Sequence, residues 1–427
     1  MTTVHCQSRS PRLAVALIVA AAAVACSLTV QHANATQHLV SPGDNWQHLA
    51  EELRPGDEII LFPGRHLPAR FEGLDGNHQQ PIIIRSLDPR NPAVIIADEF
   101  GIALTRPRYV HLRDIHIVGA RKCGILLSDG LNAKLEQSGA FFKANVQISN
   151  LQIRGTGPIG DADAVRIEGL QEVQLASMRI EGWADCAIEI VGCRFIDIEA
   201  CIFKPLPDHA QRIGLNARAG SQTISVRDSL FLDAAVTAIS AGGPSEAYEF
   251  RPALADSAGA DIEENLKGRK AADGSRRPEV DQLSIERCLV RGSDTAIKLV
   301  GAASVTLRSS TIIQPRVRVL HAVLLSERDE RCQNITSGLT LGENIFIYAA
   351  DLKRPFEWSA IDVDSMRIEE NLWYMTDAEA STQVALDLPA ESTFPQIIGI
   401  HPELNARAVA TASEARGLGY QRLDEQD

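Results

Sequence analysis

Asp163, Arg166, Asp185, Glu189 and Lys298 supply what proton abstraction beside a carboxylate needs: groups that exchange a proton, and cations that neutralise developing negative charge. Asn216, Arg218, Tyr248 and Arg251 extend the set with groups able to hold a substrate. In one arrangement Lys298 is the base and Arg166 or Arg218 neutralises a uronate carboxylate; in another Asp163, Asp185 and Glu189 hold Ca²⁺ for the same purpose. The competing arrangement is a solvated ladder of ion pairs, in which Arg166 and Glu189 contribute only about 0–1 kcal/mol. Either requires residues far apart in the chain to share one surface.

A repeat provides that surface. The segments at 112–119, 148–155, 175–182, 198–205, 226–233, 285–292 and 307–314 each carry apolar residues first and sixth, polar or small residues second and third, and an uncharged residue fourth. A second series interleaves with them at 101–105, 124–128, 164–168, 187–191, 214–218, 238–242 and 296–300. Its members open on Gly or Ala and then alternate, the period of a strand with one buried face. Coils of about two dozen residues repeated in register predict an all-β right-handed parallel β-helix.

Alignment of the second series puts Ala103, Leu126, Arg166, Glu189, Asn216, Ser240 and Lys298 in one outward column, with Glu168 and Arg218 beside it and Asp163, Asp185 and Asp294 just before the strands. The first series gives one interior sheet, with Leu112 to Leu307 in one column and Ile117 to Ile312 alongside. Between these columns fall Cys201 and Cys288, separated by the Ser229 rung; about 9.6 Å at roughly 4.8 Å per rung exceeds disulfide reach. Both thiols should be buried and unbonded.

The remaining segments divide as follows. Residues 1–35 read as an export signal, with Arg9 and Arg12 before an apolar run and Ala33-Asn34-Ala35 as a cleavage site; lipidation at Cys26 is the alternative. Either implies a secreted, periplasmic or cell-surface protein with no stable membrane insertion after processing. Residues 36–56 form an N-terminal cap, with Trp46, Leu49 and Leu53 on one face of an expected helix over 43–53. The β-helix occupies 57–375, with insertions at 130–145 and 243–280, and 376–427 is a loop-rich tail. The longer insertion contains the basic cluster Lys267, Arg269 and Lys270, a solvated loop or a flap over an anionic polymer. His209 falls in a loop between coils.

With 42 Lys and Arg against 55 Asp and Glu, the formal charge of -13 argues against nucleic acid as a partner. Aromatic residues are only 5% of the chain, so any glycan should be recognised by charge more than by stacking.

The stretch Pro55-Gly56-Asp57-Glu58-Ile59-Ile60-Leu61, followed by Pro63-Gly64, resembles the opening coil of the pectate-lyase-like superfamily, including its chondroitinase and alginate lyase type. Residues 163–169, Glu181-Gly182-Trp183, 187–193, Ala241-Gly242-Gly243 and Phe250-Arg251-Pro252 look closer to a bacterial group within it. The resemblance spans roughly 40–375 and implies the β-helix. The 22-residue spacing of Asp163 and Asp185 is similar to the stacked aspartates of polygalacturonases, but the paired-aspartate, Gly-His-Gly and Arg-x-Lys motifs of that family are absent. No hydrolase triad is carried over. Three functions stay open: β-elimination on an acidic polysaccharide, non-catalytic carbohydrate binding or cell-surface structure, and epimerisation.

Overall fold

The computed structural model describes residues 35–421 apart from 131–140, 234–235, 252–275, 326–331, 353, 377–395, 406–407 and 416. The export signal and the Lys267–Lys270 cluster lie outside these residues, as do parts of both insertions and of the tail. Among the described residues, no helix is long and apolar enough to cross a membrane.

Strands recur in a three-beat order, and each beat adds a strand to one of three parallel sheets. Among the described residues, sheet A runs from Gln37–Val40 to Arg367–Ile368 and sheet B from Gly64–His66 to Ile397–Ile398, with 12 strands each. Sheet C, with 10 strands, runs from Ala69–Glu72 to Phe356–Glu357. This is a parallel β-helix.

The first-series octet turns a corner instead of lying in one sheet, which corrects the expected single interior sheet. Leu112, Ile148, Leu175, Ile198, Val226, Ile285 and Leu307 stack in sheet A, whereas Ile117, Ile153, Ile180, Phe203, Phe231, Val290 and Ile312 stack in sheet B. The bend is the third position: Asp114, Asn150, Ser177, Ala200, Asp228, Arg287 and Ser309 all have φ between 47° and 61°. Left-handed backbone costs about 1–2 kcal/mol per non-glycine residue. Repeating it at every rung keeps the stack in register, and Asn150 Nδ2 donates to Asp114 Oδ1 (2.7 Å) along the column.

Just after the bend, the fourth position points into the core. Cys201 and Cys288 are buried there and unbonded, with Ser229 between them. The small polar members serve as acceptors: the Cys201, Cys288 and Ser310 amides donate to Ser229 Oγ, Ser310 Oγ and Asn344 Oδ1. Asn371 continues this ladder by accepting from Asn344.

Sheet C follows the second series, each strand starting one residue before the Gly or Ala. Close stacking explains those small residues: a Cβ on Gly124 would stand 2.6 Å from the Ala164 carbonyl oxygen. At the other end of the strand Thr237–Ala241, Gly242 (φ +90°) turns the chain away from the sheet.

The N-terminal segment differs from expectation. In place of an amphipathic helix over 43–53 there is a 3-10 turn, Gln47–Glu51, and Gln37–Val40 already pairs with Glu58–Leu61 as a strand of sheet A. Trp46 and Leu49 are buried as expected, Trp46 edge-on to Phe71 at 5.2 Å. A single turn is enough to bury Trp46 and Leu49, and Leu53, partly exposed, packs against the same core from beyond the turn.

Candidate functional site

The predicted column exists. Pairing across sheet C aligns Ala103, Leu126, Arg166, Glu189, Asn216, Ser240 and Lys298 in order. It also extends at both ends, to Arg70 before Ala103 and to His321 and Glu357 after Lys298.

Its middle is not an open strip, however. Glu189, Asn216 and Ser240 are buried, at 4%, 7% and 2% exposure. Glu189 lies between two guanidiniums: Arg166 Nη1 donates to Oε2, and Arg218 Nε donates to Oε1 at 2.8 Å. Arg166 also pairs with Glu168 and with Asp163 (3.2 Å), and Arg218 with Glu249 (2.5 Å). Tight ionic partners outweigh burial and hold both arginines firmly charged.

Asp163 opens the strand Asp163–Glu168, and its Oδ1 accepts from the Cys186 amide at 3.0 Å. Burial, reinforced by the neighbouring Glu189 charge, pushes its carboxyl up to about 8. Burial would raise Glu189 as well, but Arg166 and Arg218 more than offset it and hold Glu189 below the usual range. The two carboxyls are hydrogen-bonded, with the proton on Asp163. Near neutrality, Asp163 is therefore an acid and Glu189 an anion.

This arrangement does not suit calcium. Asp163, Cys186 and Glu189 bring one ligand atom each within 4.8 Å, and Asp185 does not join them, pairing instead with Arg212 at 3.5 Å. Ca²⁺ takes six to eight oxygens. Here both Glu189 oxygens are held by arginines, and burial raises the Cys186 thiol well above its ordinary value, so it keeps its proton.

A groove of about 470 Å³ opens beside the pair, lined by Phe100, Arg121, Lys122, Leu126, Asp161, Asp163, Arg166 and Glu168. Lys122 pairs with Glu99 (2.9 Å) and Arg121 with Asp98, and both basic side chains are exposed. Of these, sequence reasoning passed over Phe100, Arg121, Lys122 and Asp161. Their position in the chain was a usable signal: Arg121 and Lys122 precede their sheet C strand as Asp161 and Ala162 precede theirs.

The other predicted residues separate from this groove. Lys298 lies four rungs beyond Arg166, about 19 Å at roughly 4.8 Å each. They cannot act on adjacent atoms of one sugar. Arg251, at 8% exposure, is committed to Asp129 (2.7 Å) and to the carbonyls of Tyr248, Glu249 and Phe250, so it fastens its loop and does not face a substrate. Tyr248 is exposed on that loop. His209 is half-buried in its loop, its Nδ1 3.0 Å from the Pro207 carbonyl oxygen.

No family model and no curated protein matches this chain. Among solved structures, it is similar to a PL6 family polysaccharide lyase from Pseudopedobacter saltans (TM-score 0.48, 10% identity, 90% of this chain and 99% of that one). It is likewise similar to PfbA, a surface adhesin of Streptococcus pneumoniae (TM-score 0.46, 11% identity, covering 78% and 75%). A third similar structure is the PL6 family alginate lyase AlyGC (TM-score 0.44, 11% identity); 90% of this chain matches, spanning 56% of the length of that lyase.

Proposed function

We propose that the groove beside Asp163 takes an acidic polysaccharide and cleaves it by β-elimination. The observation that carries this reading is a buried carboxyl, shifted to about 8, lining a groove edged by exposed Lys122 and Arg121. Elimination from a uronate needs one group that takes the C5 proton and a cation that neutralises the adjacent carboxylate. In its ionised form Asp163 accepts the C5 proton, the C–H electron pair becomes the C4–C5 double bond, and the C4–O4 bond breaks. The same carboxyl then returns the proton to O4. Lys122, Arg121 and Arg166 are the neutralising cations. Glu189 stays charged between its arginines and sets the proton affinity of Asp163. The leader pattern of residues 1–35 supports action outside the cytoplasm.

One observation favours a second reading, a non-catalytic glycan-binding or surface β-helix: Arg166, Glu189, Arg218 and Glu249 are paired with one another. Incubation with a panel of uronate polymers, read at the ultraviolet absorbance of the unsaturated product, separates the two. Growth of that absorbance with the native chain and its loss in Asp163→Asn supports elimination. Binding without absorbance on every polymer supports the second reading.

A further inference from the structure

The loop 243–251 folds back onto the site column, and Ser245 Oγ donates to Glu279 (2.6 Å) at its start; three further contacts hold its end. Arg251 pairs with Asp129, Phe250 is fully buried beside Val191 and Ala219, and Glu249 accepts from Arg218 Nη1 at 2.5 Å. The last contact stands apart from the other two. Arg218 Nε already binds Glu189, so the loop brings a second carboxylate to an arginine that the sheet has satisfied. Two residues earlier on the same strand, and therefore on the same face, stands Asn216. It is 7% exposed, and its Oδ1 has no hydrogen-bond partner among the described residues.

A carboxylate held on Arg218 beside an unfilled acceptor for a hydroxyl is the imprint of a hydroxy acid. We infer that Arg218 and Asn216 form a sugar-acid subsite in which Glu249 stands in for the carboxylate of a uronate unit. This rests on the reading that the sheet C face takes an acidic glycan. An arriving uronate displaces the loop: its carboxylate replaces Glu249 on Arg218, and a neighbouring hydroxyl donates to Asn216 Oδ1. The exchange on Arg218 is carboxylate for carboxylate. The gain comes from Asn216, since a buried acceptor without a donor costs free energy until it is filled. Arg251 and Phe250 hold the backbone next to Glu249, so the Glu249 side chain leaves Arg218 while the loop stays attached.

The test is calorimetric titration of alginate and of polygalacturonate into Asp163→Asn protein, where turnover does not interfere. Added to that background, Glu249→Gln removes the internal competitor and should tighten binding about tenfold, and Arg218→Gln should weaken it by a similar factor. Hydrogen exchange on the unsubstituted chain provides a measurement free of substitutions: amides of 243–251 should exchange faster with polymer bound. Unchanged or weaker binding by Glu249→Gln, unaltered exchange in the loop, or no binding of either polymer overturns the subsite. Absence of unsaturated product from every polymer, with the binding and exchange shifts present, overturns elimination and leaves the subsite standing.

Discussion

The carboxyl groups of Asp163 and Glu189 are hydrogen-bonded between adjacent strands of sheet C, and they divide one proton unequally. Two arginines stabilise the charge on Glu189; burial and that charge keep the proton on Asp163. The pair is thus a proton-exchanging group built into a sheet, with its acid member lining a groove.

Its first consequence is for stability. An unfolded aspartate loses its proton near pH 4, whereas folded Asp163 keeps it to about pH 8. Between these values the folded state binds more protons, so this group's contribution is full below pH 4 and is lost as pH rises toward 8, by up to about 1.4 kcal/mol per pH unit. Glu189 is depressed and acts in the opposite sense, its contribution being lost on acidification. Asn is close in shape to a protonated Asp. Asp163→Asn should therefore gain stability relative to the native chain between pH 5 and pH 8, as read from urea midpoints. A constant difference across that range would contradict the assigned proton.

The corner ladder gives a second prediction. Asn344 accepts from the Ser310 amide and donates to the Leu307 carbonyl and to Asn371, all in a fully buried site. Asn344→Val should cost about 1–3 kcal/mol for each group left unsatisfied. Asn344→Ser should cost clearly less, because Ser229 and Ser310 already do the same work in this column. Denaturant titration of the two variants ranks them, and equal costs would mean the ladder is not a source of stability.

The buried thiols give a third. Burial pushes Cys201 and Cys288 up to about 12, so neither forms a thiolate at neutral pH. Neither should react with iodoacetamide until the chain unfolds, and both should then react without prior reduction. Mass spectrometry of peptides labelled before and after denaturation checks this; a peptide linked between the two cysteines would refute the register.

How far the sequence reached follows from what a one-dimensional repeat can encode. The register of sheet C was legible because alternation behind a Gly or Ala recurs every 23–27 residues wherever no insertion lengthens the coil, and the pairing Arg166, Glu189, Asn216, Ser240, Lys298 follows. The corner within the first-series octet was not legible. Its left-handed third position is filled by Asp, Asn, Ser, Ala and Arg alike, because tertiary stacking imposes the conformation. Burial of Glu189 was also hidden, since it depends on how two arginine side chains fold over the column and on the Glu249 loop, which strand spacing does not encode. Distances along the solenoid were legible too: the rung count that separates Cys201 from Cys288 also separates Lys298 from Arg166.

The last prediction concerns the pH dependence of elimination, for which Asp163 must be ionised. Turnover should rise through a limb near pH 8, matching the carboxyl that loses its proton there. Two substitutions should move that limb in opposite directions. Glu189 raises Asp163 by its charge and its hydrogen bond, so Glu189→Gln should shift the limb to lower pH. Arg166 lowers Asp163 by its positive charge, so Arg166→Gln should shift it to higher pH while also weakening the contact with the substrate carboxylate. Asp163→Asn should lose activity by about 10²–10⁴-fold, the usual contribution of a positioned acid–base group. Rates of unsaturated-uronate formation from pH 6 to 10 test all three. A limb that stays in place in both Glu189→Gln and Arg166→Gln would assign the titration to another group and remove Asp163 from the reaction.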